Sequence, residues 1–134
     1  MRAGVLLGVI LILAASSADA ATRWLACSGV QKDPRPDGLS GQMTWTYGFR
    51  DDPPGVLVWL EAFGRVRAFC GRSSPTEVKA WGADVDWACP RADGSRIRFE
   101  LRGARLKVDD TTATSPSHFE GTCKPTADPA PPKP

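Results

Sequence analysis

The chain of 134 residues contains one histidine, His118, and that scarcity excludes much of nucleophilic catalysis. A serine or thiol nucleophile needs a positioned base. The hydroxyl nearest in sequence is Ser117, and adjacent side chains on a strand point to opposite faces. No G-x-S-x-G, G-x-x-x-x-G-K-[ST] or H-E-x-x-H pattern occurs, and there is no dinucleotide-binding fingerprint. Glu61, Glu77, Glu100, Asp84, Asp86, Asp109 and Asp110 could in principle supply a carboxylate pair of the glycosidase kind. None of them sits in a motif, and solvated positions on turns and polar strand faces account for them. No catalytic residue and no cofactor is expected.

Charge of one sign is also missing. The net charge is +2, and removing residues 1–20 deletes one basic and one acidic side chain, so it does not change. With no RRM, KH or helix-turn-helix pattern, nucleic acid is excluded as a partner. Close cysteine pairs are absent too. A structural zinc site draws on spacings such as C-x₂₋₄-C, whereas Cys27, Cys70, Cys89 and Cys123 are widely dispersed, so no metal site is expected.

Long apolar runs are confined to the N-terminus. Arg2, the run from Val5 to Leu13, and Ala18-Asp19-Ala20 have the order of a secretory signal with small residues before the cleavage point. A membrane-spanning helix needs about 20 apolar residues, and Ser16, Ser17 and Asp19 interrupt this run too early. Lipid attachment at Cys27 is disfavoured because Arg23 and Trp24 separate it from the apolar run. The expected organisation is a cleaved signal peptide over 1–20, a single β domain over 21–124 and a disordered proline-rich tail over 125–134. The mature protein is expected to be periplasmic or secreted and not membrane-spanning.

Helical periodicity is the last absence, since no window of a dozen residues carries an apolar helical stripe free of Gly or Pro. Alternation with period two takes its place. Met43, Trp45, Tyr47 and Phe49 alternate with Gln42, Thr44, Thr46 and Gly48, and Ile97, Phe99 and Leu101 alternate with Arg96, Arg98, Glu100 and Arg102. Val56-Leu57-Val58-Trp59-Leu60 is apolar on both faces and reads as a central strand. Turn chemistry at 51–55, 63–64, 81–83, 91–94 and 102–103 separates the runs.

The prediction is an all-β antiparallel meander of eight or nine strands, closed as a barrel or folded as a curved sandwich. Strands are expected near 23–28, 42–49, 56–62, 65–70, 77–81, 84–89, 96–101, 104–109 and 117–122, with a long loop from Gly29 through Gly41.

Four cysteines in an exported domain predict two disulfides. Cys70–Cys89 with Cys27–Cys123 is preferred, because Cys70 shares strand parity with Val66 and Ala68, and Cys89 shares it with Val85 and Trp87. The second bridge then ties the first strand to the last.

The most distinctive polar feature is a set of arginines. Arg96, Arg98 and Arg102 share parity, Arg105 follows across a turn, and Arg65 and Arg67 repeat the pattern on an earlier hairpin. Brought together they would make a face able to grip carboxylates or phosphates; cross-strand pairing with Glu61, Asp84, Asp86 and Glu100 is the plainer alternative. Trp81, beside a predicted turn, and Trp24, ahead of the first cysteine, could be exposed platforms, and Trp45, Trp59 and Trp87 read as core.

The first functional expectation is therefore a non-catalytic binding module of the cell envelope engaging a protein or anionic polymer. The alternative is a carrier of a small molecule or lipid in a barrel cavity, and the third is a hydrolase of unrecognised type.

Overall fold

The computed structural model describes residues 22–34, 40–70, 76–111 and 116–130. The expected signal peptide, and the end of the expected tail at 131–134, lie outside the described residues.

Nine antiparallel strands form one sheet: β1 (Arg23–Lys32), β2 (Gly41–Asp51), β3 (Pro54–Leu60), β4 (Arg65–Ala68), β5 (Glu77–Trp81), β6 (Val85–Pro90), β7 (Arg96–Arg102), β8 (Arg105–Asp110) and β9 (Ser117–Pro125). A 3₁₀ turn, Glu61–Phe63, joins β3 to β4 and ends at Gly64, whose φ of 59° is left-handed. The order across the sheet is β4-β3-β2-β1-β9-β8-β7-β6-β5. Every sequential pair is a hairpin except β4 with β5, which form the two free edges; in their place the first and last strands pair at the centre.

The sheet curls into a half-barrel because one face carries nearly all the bulky apolar side chains. Leu25, Cys27, Tyr47, Phe49, Val56, Val58, Val85, Trp87, Phe99, Leu101, Leu106 and Phe119 are buried in one cluster. Contacts across the concave side draw the two edges towards each other. Tyr47 of β2 and Phe69, just past β4, both meet the Phe99 ring of β7, at 5.3 and 4.9 Å between centroids. Cys70 is bonded to Cys89, and the Trp81 indole N–H donates to Asp51 Oδ1 at 2.9 Å. The seam between β4 and β5 is thus held by a disulfide, an aromatic cluster and one hydrogen bond in place of a strand ladder.

Both expected disulfides form. Cys27 and Cys123 are directly opposed on β1 and β9, with Cα atoms 4.0 Å apart.

Several expectations need correction. Gly29 through Lys32 continues β1 and is not loop, because β9 pairs along its whole length: Gly29 faces Gly121, and Lys32 faces His118. Strand β3 is not central; it lies beside the edge strand β4. A one-layer curled sheet has its core on the concave side only, so Leu57 and Trp59, on the outer parity, stay half-exposed and Trp59 is not core. Trp24 is buried and is no platform, because its ring lies over Gly48, the residue it faces on β2. At the other terminus β9 runs through Pro125, and Thr126 N–H donates to Trp24 O at 3.0 Å.

Gly29 and Gly121 mark the tightest point of the curl. A Cβ on Gly29 would fall 1.9 Å from Glu120 O, and one on Gly121 would fall 2.7 Å from both Ser28 O and the Phe119 ring. Two residues without side chains let β1 and β9 approach closely on the concave side, and the Phe119 ring covers the gap.

Candidate functional site: the open end of the half-barrel

The two ends of the half-barrel are filled differently. Towards the hairpin turns at 52–53 and 103–104, Phe49, Val56, Val85, Leu101 and Leu106 pack the interior to 2% exposure or less. Towards the opposite end the concave face opens into a cavity of about 390 Å³, within the range of roughly 300–1,000 Å³ common for small-molecule sites.

Strand alternation places the cavity walls. Tyr47, Val58, Ile97, Val108 and Phe119 all have the inward parity of their strands, and Phe69 continues that parity beyond β4. The rim is polar. Gln31 lies near the end of β1 and accepts a hydrogen bond from the Trp45 indole at 3.3 Å. Asp33, just past β1, is buried, and its backbone N–H and C=O are both tied to the Ser40 hydroxyl at 3.0 Å.

Arg91 reaches the rim from the β6–β7 turn, whose fold is locally encoded. Gly94, with a φ of 84°, closes the turn by donating to Arg91 O at 3.1 Å. Asp93 Oδ1 accepts from both the Ser95 hydroxyl and the Ser95 N–H, at 2.6 and 2.9 Å. These bonds, with the nearby Arg91 charge, hold the Asp93 carboxyl below its ordinary value. Arg91 in turn meets Asp110 at 3.5 Å.

Three polar groups lining the cavity, the Tyr47 hydroxyl, the Arg67 guanidinium and the Ser117 hydroxyl, have no hydrogen-bonding partner among the described residues. The Tyr47 side chain is 3% exposed, and nothing accepts from or donates to its hydroxyl; burial pushes the phenol well above its ordinary pKa, so it remains a neutral donor. Arg67 faces Val58, which puts it on the concave side of β4, and its guanidinium meets no carboxylate.

The arginines singled out from sequence do not share one face. Arg65 and Arg67 have inward parity on β4, and Arg65 stacks over the Phe63 ring at 5.5 Å. Arg96, Arg98, Arg102 and Arg105 lie on the convex side of β7 and β8, where carboxylates interleave with them. Arg96 pairs with Glu77 at 2.6 Å, Arg98 with Asp86 at 3.1 Å and Glu100 at 3.4 Å, and Arg102 with Glu100 at 2.8 Å. Trp81 is half-buried at the seam, packed on Phe49 and bonded to Asp51.

His118 also lies on the convex face. Its Nδ1 is 2.5 Å from Asp109 Oδ1 and its Nε2 is 3.6 Å from Glu120. Among the described residues no hydroxyl or thiol is hydrogen-bonded to it, while Ser117 has the opposite parity and lines the cavity. No group of three or more His, Cys, Asp or Glu among the described residues could hold a metal ion, and no described helix is long and apolar enough to cross a membrane.

Sequence reasoning reached Arg67 as part of a surface set and offered a barrel cavity as an alternative without locating it. The parity of Trp45 and Tyr47 carried the inward direction; that of Val58 was hidden in a run apolar on both faces, and nothing local reveals that one end of the interior is left unfilled. Against known proteins the chain finds no matching family model, curated relative or solved structure.

Proposed function

We propose that the protein is a non-catalytic binding module of an oxidising, extracytoplasmic compartment that holds a small, largely apolar molecule in the open end of its half-barrel. The observation that carries this reading is the cavity itself: apolar and aromatic walls, a polar rim, and a buried phenol with an unused hydroxyl. That combination of apolar lining with few convergent polar groups is what ligand sites need for affinity and orientation.

The convex arginines, as a surface for an acidic protein or anionic polymer, offer less. Arg96, Arg98 and Arg102 each already have a carboxylate partner, and an incoming anion would have to compete with it. A hydrolase is also less well supported, since among the described residues no nucleophile is bonded to the His118–Asp109 pair. The two disulfides favour an oxidising compartment.

The test is titration of the oxidised protein with a neutral, environment-sensitive fluorophore such as N-phenyl-1-naphthylamine, alongside a Leu60→Trp variant that fills the cavity from its half-buried rim. Saturable binding at one site is expected, and it should be lost in L60W at unchanged melting temperature. Equal binding by both proteins would place the probe elsewhere and contradict the reading.

A further inference from the structure

Four cavity-lining residues carry formal charge: Asp33, Arg67, Arg91 and Asp110. Arg91 and Asp110 pair with each other, and Asp33 has partners as well. Arg67 has none among the described residues. The charge still to be matched in this cavity is therefore positive, and a ligand that matches it must bring an anion.

The strand register adds a second constraint. Tyr47 faces Val58 on β3, and Val58 faces Arg67 on β4. The three residues form one row across the concave surface, with the small valine between two long polar side chains. Neighbouring strands lie about 4.8 Å apart, so the Tyr47 and Arg67 backbones are separated by roughly 10 Å. A compact anion seated above Val58 is within reach of both the phenol and the guanidinium. Arg67 can offer two parallel N–H donors, and carboxylate is the group whose geometry fits them. Other walls of the cavity are apolar: Phe69, Ile97, Val108 and Phe119.

We propose that the cavity is selective for a monocarboxylate with a compact apolar body, its carboxylate bound by Arg67 and hydrogen-bonded by the Tyr47 hydroxyl over Val58. The proposal rests on the cavity being a ligand site, and it names the class of molecule that site prefers. A neutral alcohol of the same body would gain the apolar contacts and lose the charged pair, while an ammonium would meet Arg67 as a like charge.

The oxidised full chain, titrated calorimetrically with decanoate, decanol and decylammonium, distinguishes these. Decanoate should bind about tenfold or more tighter than decanol, the increment expected of a charge-assisted hydrogen bond, and decylammonium should bind weakest. Arg67→Met keeps the aliphatic stem on an exposed edge strand. It should remove the tenfold preference by weakening decanoate, at unchanged melting temperature, and Arg67→Lys should restore part of it. Tyr47→Phe should weaken decanoate more than decanol. If decanol matches decanoate, or the preference survives in R67M, carboxylate selectivity is overturned and the cavity remains a site for apolar ligands. If none of the three probes binds, both conclusions fail.

Discussion

At the scale of single residues, the fold depends on places where a side chain is missing or polar for a local reason. Gly29 is the sharpest case: a methyl group there meets the β9 backbone, which cannot swing aside as a side chain could. Gly29→Ala should cost about 2–3 kcal/mol, the upper range for overpacking, read as a lower denaturation midpoint at unchanged slope. Gly41, in the same stretch of sequence, has open space around its Cβ position.

Asp93 gives a pH-dependent counterpart. Its folded carboxyl is held below the ordinary 3.8, so its contribution to stability is complete above that value and disappears as pH falls through the depressed folded one. Asp93→Asn keeps an acceptor for Ser95 but loses the charge. It should be less stable than the parent at neutral pH, and the gap should narrow on acidification below about pH 4. Urea midpoints measured across that range check the sign, and a gap that widens in acid would contradict it.

At the scale of elements, the two disulfides do different work. Cys27–Cys123 joins the central strands and closes a loop with a sequence separation of 96, whereas Cys70–Cys89 closes one of 19 across the seam. In the chain-entropy account the first is worth about 4–5 kcal/mol and the second about 3. Guanidinium unfolding of the two double Cys→Ala variants should preserve that ranking. The seam has a weaker second fastening, and Trp81→Phe, which keeps the ring against Phe49 but drops the bond to Asp51, should cost about 1 kcal/mol.

The strands themselves were legible in the sequence because alternation and turn residues are local signals. Ile97-Arg98-Phe99-Glu100-Leu101 announces its parity without any knowledge of its neighbours. Both bridges form as expected, but the parity assigned to Cys70 does not hold: Val66 and Ala68 face Trp59 and Leu57 on the outer side. Pairing order was harder to read. The doubly apolar Val56–Leu60 suggested coverage on both faces, yet β3 has only the short β4 outside it and no second layer beneath. Gly29 read as loop because its purpose, the approach of a strand nearly a hundred residues later, is not written near it.

At the scale of the whole molecule, the half-barrel is a core at one end and a cup at the other. Its architecture explains why the arginines separate: strand parity puts Arg65 and Arg67 on the concave side of β4, and Arg96, Arg98, Arg102 and Arg105 on the convex side of β7 and β8. The sequence could name Arg67 but not tell it from Arg96 or Arg98. The difference lies in what surrounds them, carboxylates on the convex face and apolar walls on the concave one. Trp87 is the one buried side chain among those described whose N–H has no partner, and it is not part of the cavity lining.

The most direct test of ligand binding in the cup is methyl NMR of the oxidised protein titrated with decanol. Resonances of Val58, Leu60, Ile97 and Val108 should shift saturably, while Val85, Leu101 and Leu106 in the packed half and Val30, Val66 and Val78 on the outside should stay in place. Shifts confined to the outer valines, or none at all, would contradict the account.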